Sequence, residues 1–433
     1  RQGDTQPLPV TDPATSAEGH RFLLAFPQNA DYTHYPTATR RLTVMLSARA
    51  NTTATVRVPA LGFERTVAVS ATAATAVALP EGVRMGKGDG TFNSGDSGLI
   101  ENKGVEITSP VEITVHAYDQ IIASSDGYLA LPVERLGTDY LLLGMHNEKV
   151  RGYGEPNGSQ LGIVAVEPDT HVTITPSADI GAGPHLPNGA RRGESVTITL
   201  GALQTFQALA PSKSVQRYED LTGTRILSDK PIAVYGGHVC TTLSNTWGAC
   251  NHLVEQMPPV DYLGKHFLTA PMQVSKLRGI QGELMRVLAA YANTEVRFDG
   301  KLVATLQRGE TYTTLTGYVD GAHEITTTQP CLVAQYMRGG NTRDPSHGDP
   351  AYMLIPPSTQ YVDRVVLSRL PPLLPSVRNP FGYSLVAYAT VIAKANEVGN
   401  IRLDGQPLSA AWKIIGNSGY AASRFEITSN SQV

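Results

Sequence analysis

The densest group of chemically capable side chains lies between His238 and Asp261. Cys240 and Cys250 stand ten residues apart with Asn245, Trp247 and Gly248 between them, and His238 and His252 flank the pair. Two thiolates and two imidazoles would suit zinc. A Cys-x9-Cys spacing lacks the short knuckle of a zinc site, however, and a disulfide closing a small loop is the simpler outcome; two free thiols are the third reading. His252, Glu255 and Asp261 could work as general acid and base, or could pin the loop around Pro258 and Pro259 as a short helical turn.

Other groups are sparser. In the loop Gly86 to Gly98, Asp89, Asn93 and Asp96 put oxygen donors on a Gly-rich turn, the donor type that Ca²⁺ takes. The spacing is not that of an EF-hand, and the alternative is a flexible surface loop. The loop Arg338 to Asp349 gathers Arg343, Asp344, His347 and Asp349, where a catalytic carboxylate pair could sit or where the charges are simply solvated. Cys331 follows Pro330 in an apolar run and reads as a buried thiol. Asn51 and Asn157 open Asn-x-Ser/Thr sequons and are glycosylation candidates. The chain has no GxSxG, P-loop, HExxH or strand-to-helix GxGxxG, which removes the support for the usual hydrolase and nucleotide classes.

The scaffold that must hold these groups is read from composition and periodicity. With 433 residues there is room for several buried cores, and a net charge of −3 with 17% charged residues argues against a nucleic-acid partner. No apolar stretch is long enough to span a membrane as a helix. Short Val-, Thr- and Ile-rich runs punctuated by 41 Gly and 29 Pro favour strands. No run keeps a helical period for three turns, so the chain is all-β.

Self-similarity organises it further. Ile107 followed by Pro110 and Tyr118, Ile226 followed by Pro231 and Tyr235, and Ile325 followed by Pro330 and Tyr336 mark a repeat core, with Ile427-Thr428-Ser429 as its last appearance. The intervals are roughly 100 to 120 residues. Each unit opens on an apolar strand (Phe22 to Phe26, Tyr140 to Leu143, Phe267 to Ala270, Val365 to Leu367), and Asp299-Gly300 and Asp404-Gly405 supply hairpin turns. The expected organisation is a flexible segment 1–20 and four tandem antiparallel units, 21–139, 140–266, 267–364 and 365–433. The last would be cut short or completed by another strand, since its Pro-led partner strand is missing. The units would be sandwich-like, with a propeller-like ring of four-stranded meanders as the alternative.

The block Arg217 to Phe267 carries Asp220-Leu221-Thr222-Gly223-Thr224, a strand ending Val234-Tyr235-Gly236-Gly237, the cysteine pair, Asn251-His252-Leu253, Glu255-Gln256 and Pro258-Pro259. With supporting matches at Lys103 to Ile107 and Leu136 to Tyr140, it resembles the N-terminal domain family of the IgGFc-binding protein; Asn251 stands where the family has Asp. The resemblance implies an extracellular or cell-surface, non-enzymatic interaction or structural module. Its partner would be a protein, a glycan or a neighbouring copy of the chain. A carboxylate-dependent glycan hydrolase is the alternative.

Overall fold

A computed structural model describes residues 17–30, 40–86, 96–121, 124–147, 158–211, 219–243, 250–272, 283–314, 321–337, 349–367, 387–427 and 431–432. Among these residues the fold is all-β, with helix confined to three-residue 3-10 turns. The first strands are β1 (Gly19–Leu24), β2 (Arg40–Ala48), β3 (Thr52–Val58), β4 (Phe63–Val69), β5 (Thr75–Leu79), β6 (Leu99–Glu101), β7 (Val105–Ile121) and β8 (Ser124–Leu129). They are followed by β9 (Gly137–Leu141), β10 (Ser159–Ala165), β11 (Thr170–Thr175), β12 (Val196–Leu200), β13 (Thr205–Leu209), β14 (Arg225–Thr241) and β15 (Asn251–Met257). The third set is β16 (Gly264–Thr269), β17 (Leu284–Ala289), β18 (Thr294–Phe298), β19 (Lys301–Leu306), β20 (Thr311–Thr313), β21 (His323–Met337) and β22 (Ala351–Leu354).

Three antiparallel sheets share one plan. The strand order is β4-β3-β7-β2-β5 in the first, β12-β11-β14-β10-β13 in the second, where β6 adds beyond β13, and β19-β18-β21-β17-β20 in the third. A strand of 15 to 17 residues, β7, β14 or β21, lies at the centre of each. Its first half pairs with the opening strand and the third strand; its second half pairs with the second strand and the closing hairpin partner. The sheet therefore folds over a single core, barrel-like, and the ring of four-stranded meanders is not what forms. Asp299 and Gly300, both at positive φ, make the two-residue turn between β18 and β19, and Asp404 and Gly405 repeat it near the C-terminal end.

Where the long strand passes from one half to the other it carries the same irregularity three times. Thr108 to Ile113 is set against Gly19 to Arg21, Leu227 to Ile232 against Gly137 to Asp139, and Thr326 to Cys331 against Gly264 to His266. Such a wide bulge bends a strand and interrupts the ladder, which is where a proline without an N–H is tolerated. The register also puts Ile107, Ile226 and Ile325 in equivalent positions, facing Phe22, Tyr140 and Phe267.

The register corrects part of the repeat core. Pro231 and Pro330 immediately precede the residues facing Gly137 and Gly264, but the counterpart before Ile113 is Glu112, so Pro110 lies elsewhere in the bulge. Counting from Ile113, Ile232 and Cys331, Tyr118 matches Tyr336, whereas Tyr235 matches His116. Each opening strand begins at its glycine, so Gly19 already belongs to β1 and not to a flexible terminus. These glycines are close-contact positions: a methyl on Gly19, Gly137 or Gly264 would overlap Pro132, Pro259 or Pro357, the proline that starts the 3-10 turn leading into the following sheet.

The C-terminal segment differs. Here β23 (Val366–Leu367) pairs with β29 (Ser431–Gln432), and β24 (Ala387–Lys394) pairs with β28 (Tyr420–Ile427), which also holds β27 (Lys413–Ile414); β25 (Arg402–Leu403) and β26 (Gln406–Pro407) form a hairpin. Ile427 faces Ala387 in β24 and does not face an opening strand as Ile325 does. The strand ending at Ile427 is thus paired along its whole length by β24.

Packing explains why the second halves read as continuous apolar runs. In β14, Ile232 and Val234 face their own core, while Ala233 and Tyr235 enter the core of the first sheet. In β21, Cys331 and Val333 face inward, while Leu332, Ala334 and Tyr336 enter the core of the second. Strands buried on both faces lose the apolar-polar alternation of a half-wet strand. At the edge between β14 and β15 the backbone leaves no room: a methyl on Gly237 would overlap the Leu253 carbonyl. Gly237→Ala is therefore expected to cost about 2–3 kcal/mol, read as a lowered urea midpoint with an unchanged m-value; an unaltered midpoint would contradict the close approach.

Candidate functional site

The closing strands β8, β15 and β22, one from each sheet, meet at a junction made by the block around the cysteines. Asn251 is its hub. Its amide oxygen accepts the Ser125 N–H at 2.6 Å, and its amide nitrogen donates to the carbonyls of Ser125 at 2.8 Å and Pro350 at 2.6 Å, so one side chain ties all three sheets. The Val254 N–H donates to Asp126 and the Leu354 N–H to Glu255, so a carboxyl from one edge strand satisfies the next strand's free backbone. Buried N–H groups need such partners, and an edge strand with its donors filled cannot recruit another chain. The Ser124 hydroxyl accepts the His252 N–H at 2.7 Å, and Gln256 accepts the Leu131 N–H at 3.0 Å.

Aromatic hydroxyls add further ties. Tyr235 and Tyr128 both donate to the chain at the end of β1, at Leu23 within the strand and Ala25 just after it, and their rings meet edge-on at 5.1 Å. Tyr336 and Tyr352 stack at 4.7 Å and donate to Gly144 and Leu143 just after β9. Arg286, a cation in the middle of β17, donates to Asp220, Thr222 and the Gly144 carbonyl. Burial works against the Asp220 carboxylate, yet the Arg286 guanidinium holds its pKa below the ordinary value. A second buried pair, Arg84 with Asp119 at 2.7 Å, braces the first sheet.

Cys240 and Cys250 are joined in a disulfide, with Cα atoms 5.1 Å apart, so neither sulfur is a thiolate ligand and the zinc and free-thiol readings are displaced. His238 and His252 are fully buried. Burial, helped by His146, pulls His238 down to about 3, and burial pulls His252 down to about 4. His238 accepts the Cys240 N–H through Nδ1 and His252 donates to the His238 carbonyl, so both are neutral structural imidazoles. His252, Glu255 and Asp261 do not converge: Glu255 is given over to the Leu354 N–H, and Asp261 is exposed at the start of a 3-10 turn. These arrangements lock backbone and offer no open acid/base pair.

The remaining candidates are quickly placed. Cys331 is a buried free thiol that burial pushes up to about 11. Asn51 is exposed at the turn between β2 and β3, its side-chain oxygen accepting the Ala71 N–H. Asp89, Asn93 and Asn157 lie outside the described residues, as do Arg343, Asp344 and His347; Asp96 is described, with its carbonyl accepting from Gln207. Among the described residues no cluster of three or more His, Cys, Asp or Glu side chains forms a metal site. Asp126, Arg84 and Arg286 were missed in the sequence, and Glu255 was read only as an acid/base candidate. The signal available was Arg286 itself, a charge inside the apolar run LMRVLAA, which only a buried partner can accommodate.

A β-sheet chain stitched through an Asn-His-Leu hub beside a disulfide defines a class of interlocked all-β modules, and comparison assigns the family. Residues 126–433 match the family described as IgGFc binding protein, and the chain belongs to it. The IgGFc-binding protein of Homo sapiens is 23% identical over 335 residues, which is 75% of this chain and 5% of that much longer protein. No solved structure matches the chain. Among the described residues no helix is long and apolar enough to cross a membrane.

Two outcomes check the junction. Replacing both Cys240 and Cys250 with Ser is expected to cost about 2–3 kcal/mol through restored loop entropy, in urea unfolding without reductant; a double variant as stable as the parent would mean the disulfide adds nothing. For Glu255, burial and then the neighbouring Asp126 push the pKa well above its ordinary 4.5. A raised folded pKa gives stability that is full below the unfolded value and drains as pH rises. Glu255→Gln keeps an acceptor for Leu354 but cannot ionise, so its advantage over the parent should grow from pH 4.5 upward by at most about 1.4 kcal/mol per pH unit. An equal melting difference at pH 4.5 and 7.5 would refute the burial of that charge.

Proposed function

We propose that this chain is a non-enzymatic extracellular module that binds a protein or glycan partner, or a further copy of itself, on the outside of an interlocked β scaffold. Family membership over residues 126–433 carries the reading. The disulfide supports an oxidising compartment, and exposed Asn51 is a position a glycan could occupy. The relative's name makes the Fc region of immunoglobulin G the first protein partner to test. The hydrolase alternative needs two carboxylates facing a cleft. Asp126 and Glu255, near enough to repel one another, are instead buried and bonded to backbone N–H groups.

The test is biolayer interferometry of the full chain against purified Fc, with Fab as the control. Saturable Fc binding with Kd at or below about 10 μM and no Fab signal is expected; no Fc signal at about 100 μM would remove Fc as the partner.

A further inference from the structure

In the second and third sheets, the outer face of the long strand's second half is covered by the preceding sheet: Ala233 and Tyr235 in one, Leu332, Ala334 and Tyr336 in the other. The matching face of the first sheet has Thr114 and His116 at these positions. Segments around Tyr262 and around 356–366 cover it incompletely and leave a cavity of about 330 Å³ lined by Thr114, His116, Leu129, Arg135 and Val362, among others.

Two features of the lining are unsatisfied. The Nε of Arg135 is buried with no hydrogen-bond partner among the described residues. Of the other two arginines on this wall, Arg49 is already paired with Glu18 at 2.8 Å, and Arg364 is engaged in an interaction of its own. In addition, Leu129, Val362 and Val365 are 39%, 49% and 40% exposed, three large apolar side chains brought to one mouth from distant parts of the chain. A buried guanidinium N–H without an acceptor is costly, and so is clustered apolar surface. The Arg135 side chain lines the cavity: a carboxylate matches its guanidinium fork, and an apolar body covers the mouth. Glu18 on the same wall disfavours a doubly charged anion.

We propose that this cavity binds a small organic monocarboxylate with an apolar or aromatic body, held by Arg135 and roofed by Leu129, Val362 and Val365. The site is independent of the partner-binding reading, which stands or falls on the Fc measurement. His116 faces the ligand as a neutral imidazole, burial having lowered its pKa to about 4.

Isothermal titration of the full chain with 3-phenylpropionate tests it, with 3-phenylpropanamide as the uncharged counterpart. Binding in the millimolar range or tighter is expected, at least about tenfold weaker for the amide and for Arg135→Gln. Leu129→Trp, at a half-exposed position that tolerates bulk, should fill the mouth and also abolish binding, which keeps the test sound if Arg135→Gln does not fold. No heat from 3-phenylpropionate at about 10 mM, or equal affinity for acid and amide, or binding undiminished in either variant, would overturn the proposal.

Discussion

Everything in this structure depends on a half-sheet being buried on both sides. The second half of β14 gives alternate residues to two cores, Ile232 and Val234 to its own and Ala233 and Tyr235 to that of the preceding sheet, and β21 does the same one sheet later. A strand can do this only if its backbone needs are met within the sheet, because neither face offers water. The long strand meets that demand by running on from the half that pairs with the opening strand, so that no chain end interrupts the ladder. The bulge at its midpoint turns it from one half to the other.

From that constraint follows the polar junction. Three sheets stacked face to face bring the closing strands β8, β15 and β22 together, and each has a free edge that the stack takes out of water. The chain fills those edges with side chains: Asn251 for Ser125 and Pro350, Asp126 for Val254, Glu255 for Leu354. Carboxyls are a demanding choice, since burial opposes their ionisation, and both have pKa values raised well above the ordinary range. What they provide is register. A carboxyl that must meet one particular N–H admits a single alignment of two sheets, whereas apolar faces alone can slide.

The all-β class, the repeat and the disulfide were legible because each rests on local signals: β-branched runs, recurrent Ile followed by a proline, and two cysteines at loop-closing distance. Equating Tyr118 with Tyr235 misaligned the units because the two stand at different distances from Ile107 and Ile226, whereas the residue facing the opening glycine follows each isoleucine at the same spacing. Ile427 misled for a related reason: the same dipeptide sits in a strand whose partner is β24, and strand pairing is decided by contacts far away in sequence. The junction was legible only as a block of unusual residues. That Glu255 caps a backbone N–H depends on β22, almost a hundred residues on, which no local pattern names.

The interlocking also bears on how such a module can bind anything. Independent beads would present the loops of each unit separately and let them move, whereas shared cores and an Asn251 hub touching three sheets make the described sheets one packed body. Arg286 reinforces this, since removing the buried cation would strip the Asp220 Oδ2 of its donor and take one of two donors from the Gly144 carbonyl and the Thr222 hydroxyl. A partner that contacts two sheets then meets them in a fixed relative arrangement, which lowers the ordering cost of binding. The first sheet is the exception among the described residues, since segments around Tyr262 and 356–366 lie on its outer face where the later sheets meet another core. That face, with Thr114 and His116 where later sheets have Ala, Leu and Tyr, is where the repeated architecture itself leaves room for something else.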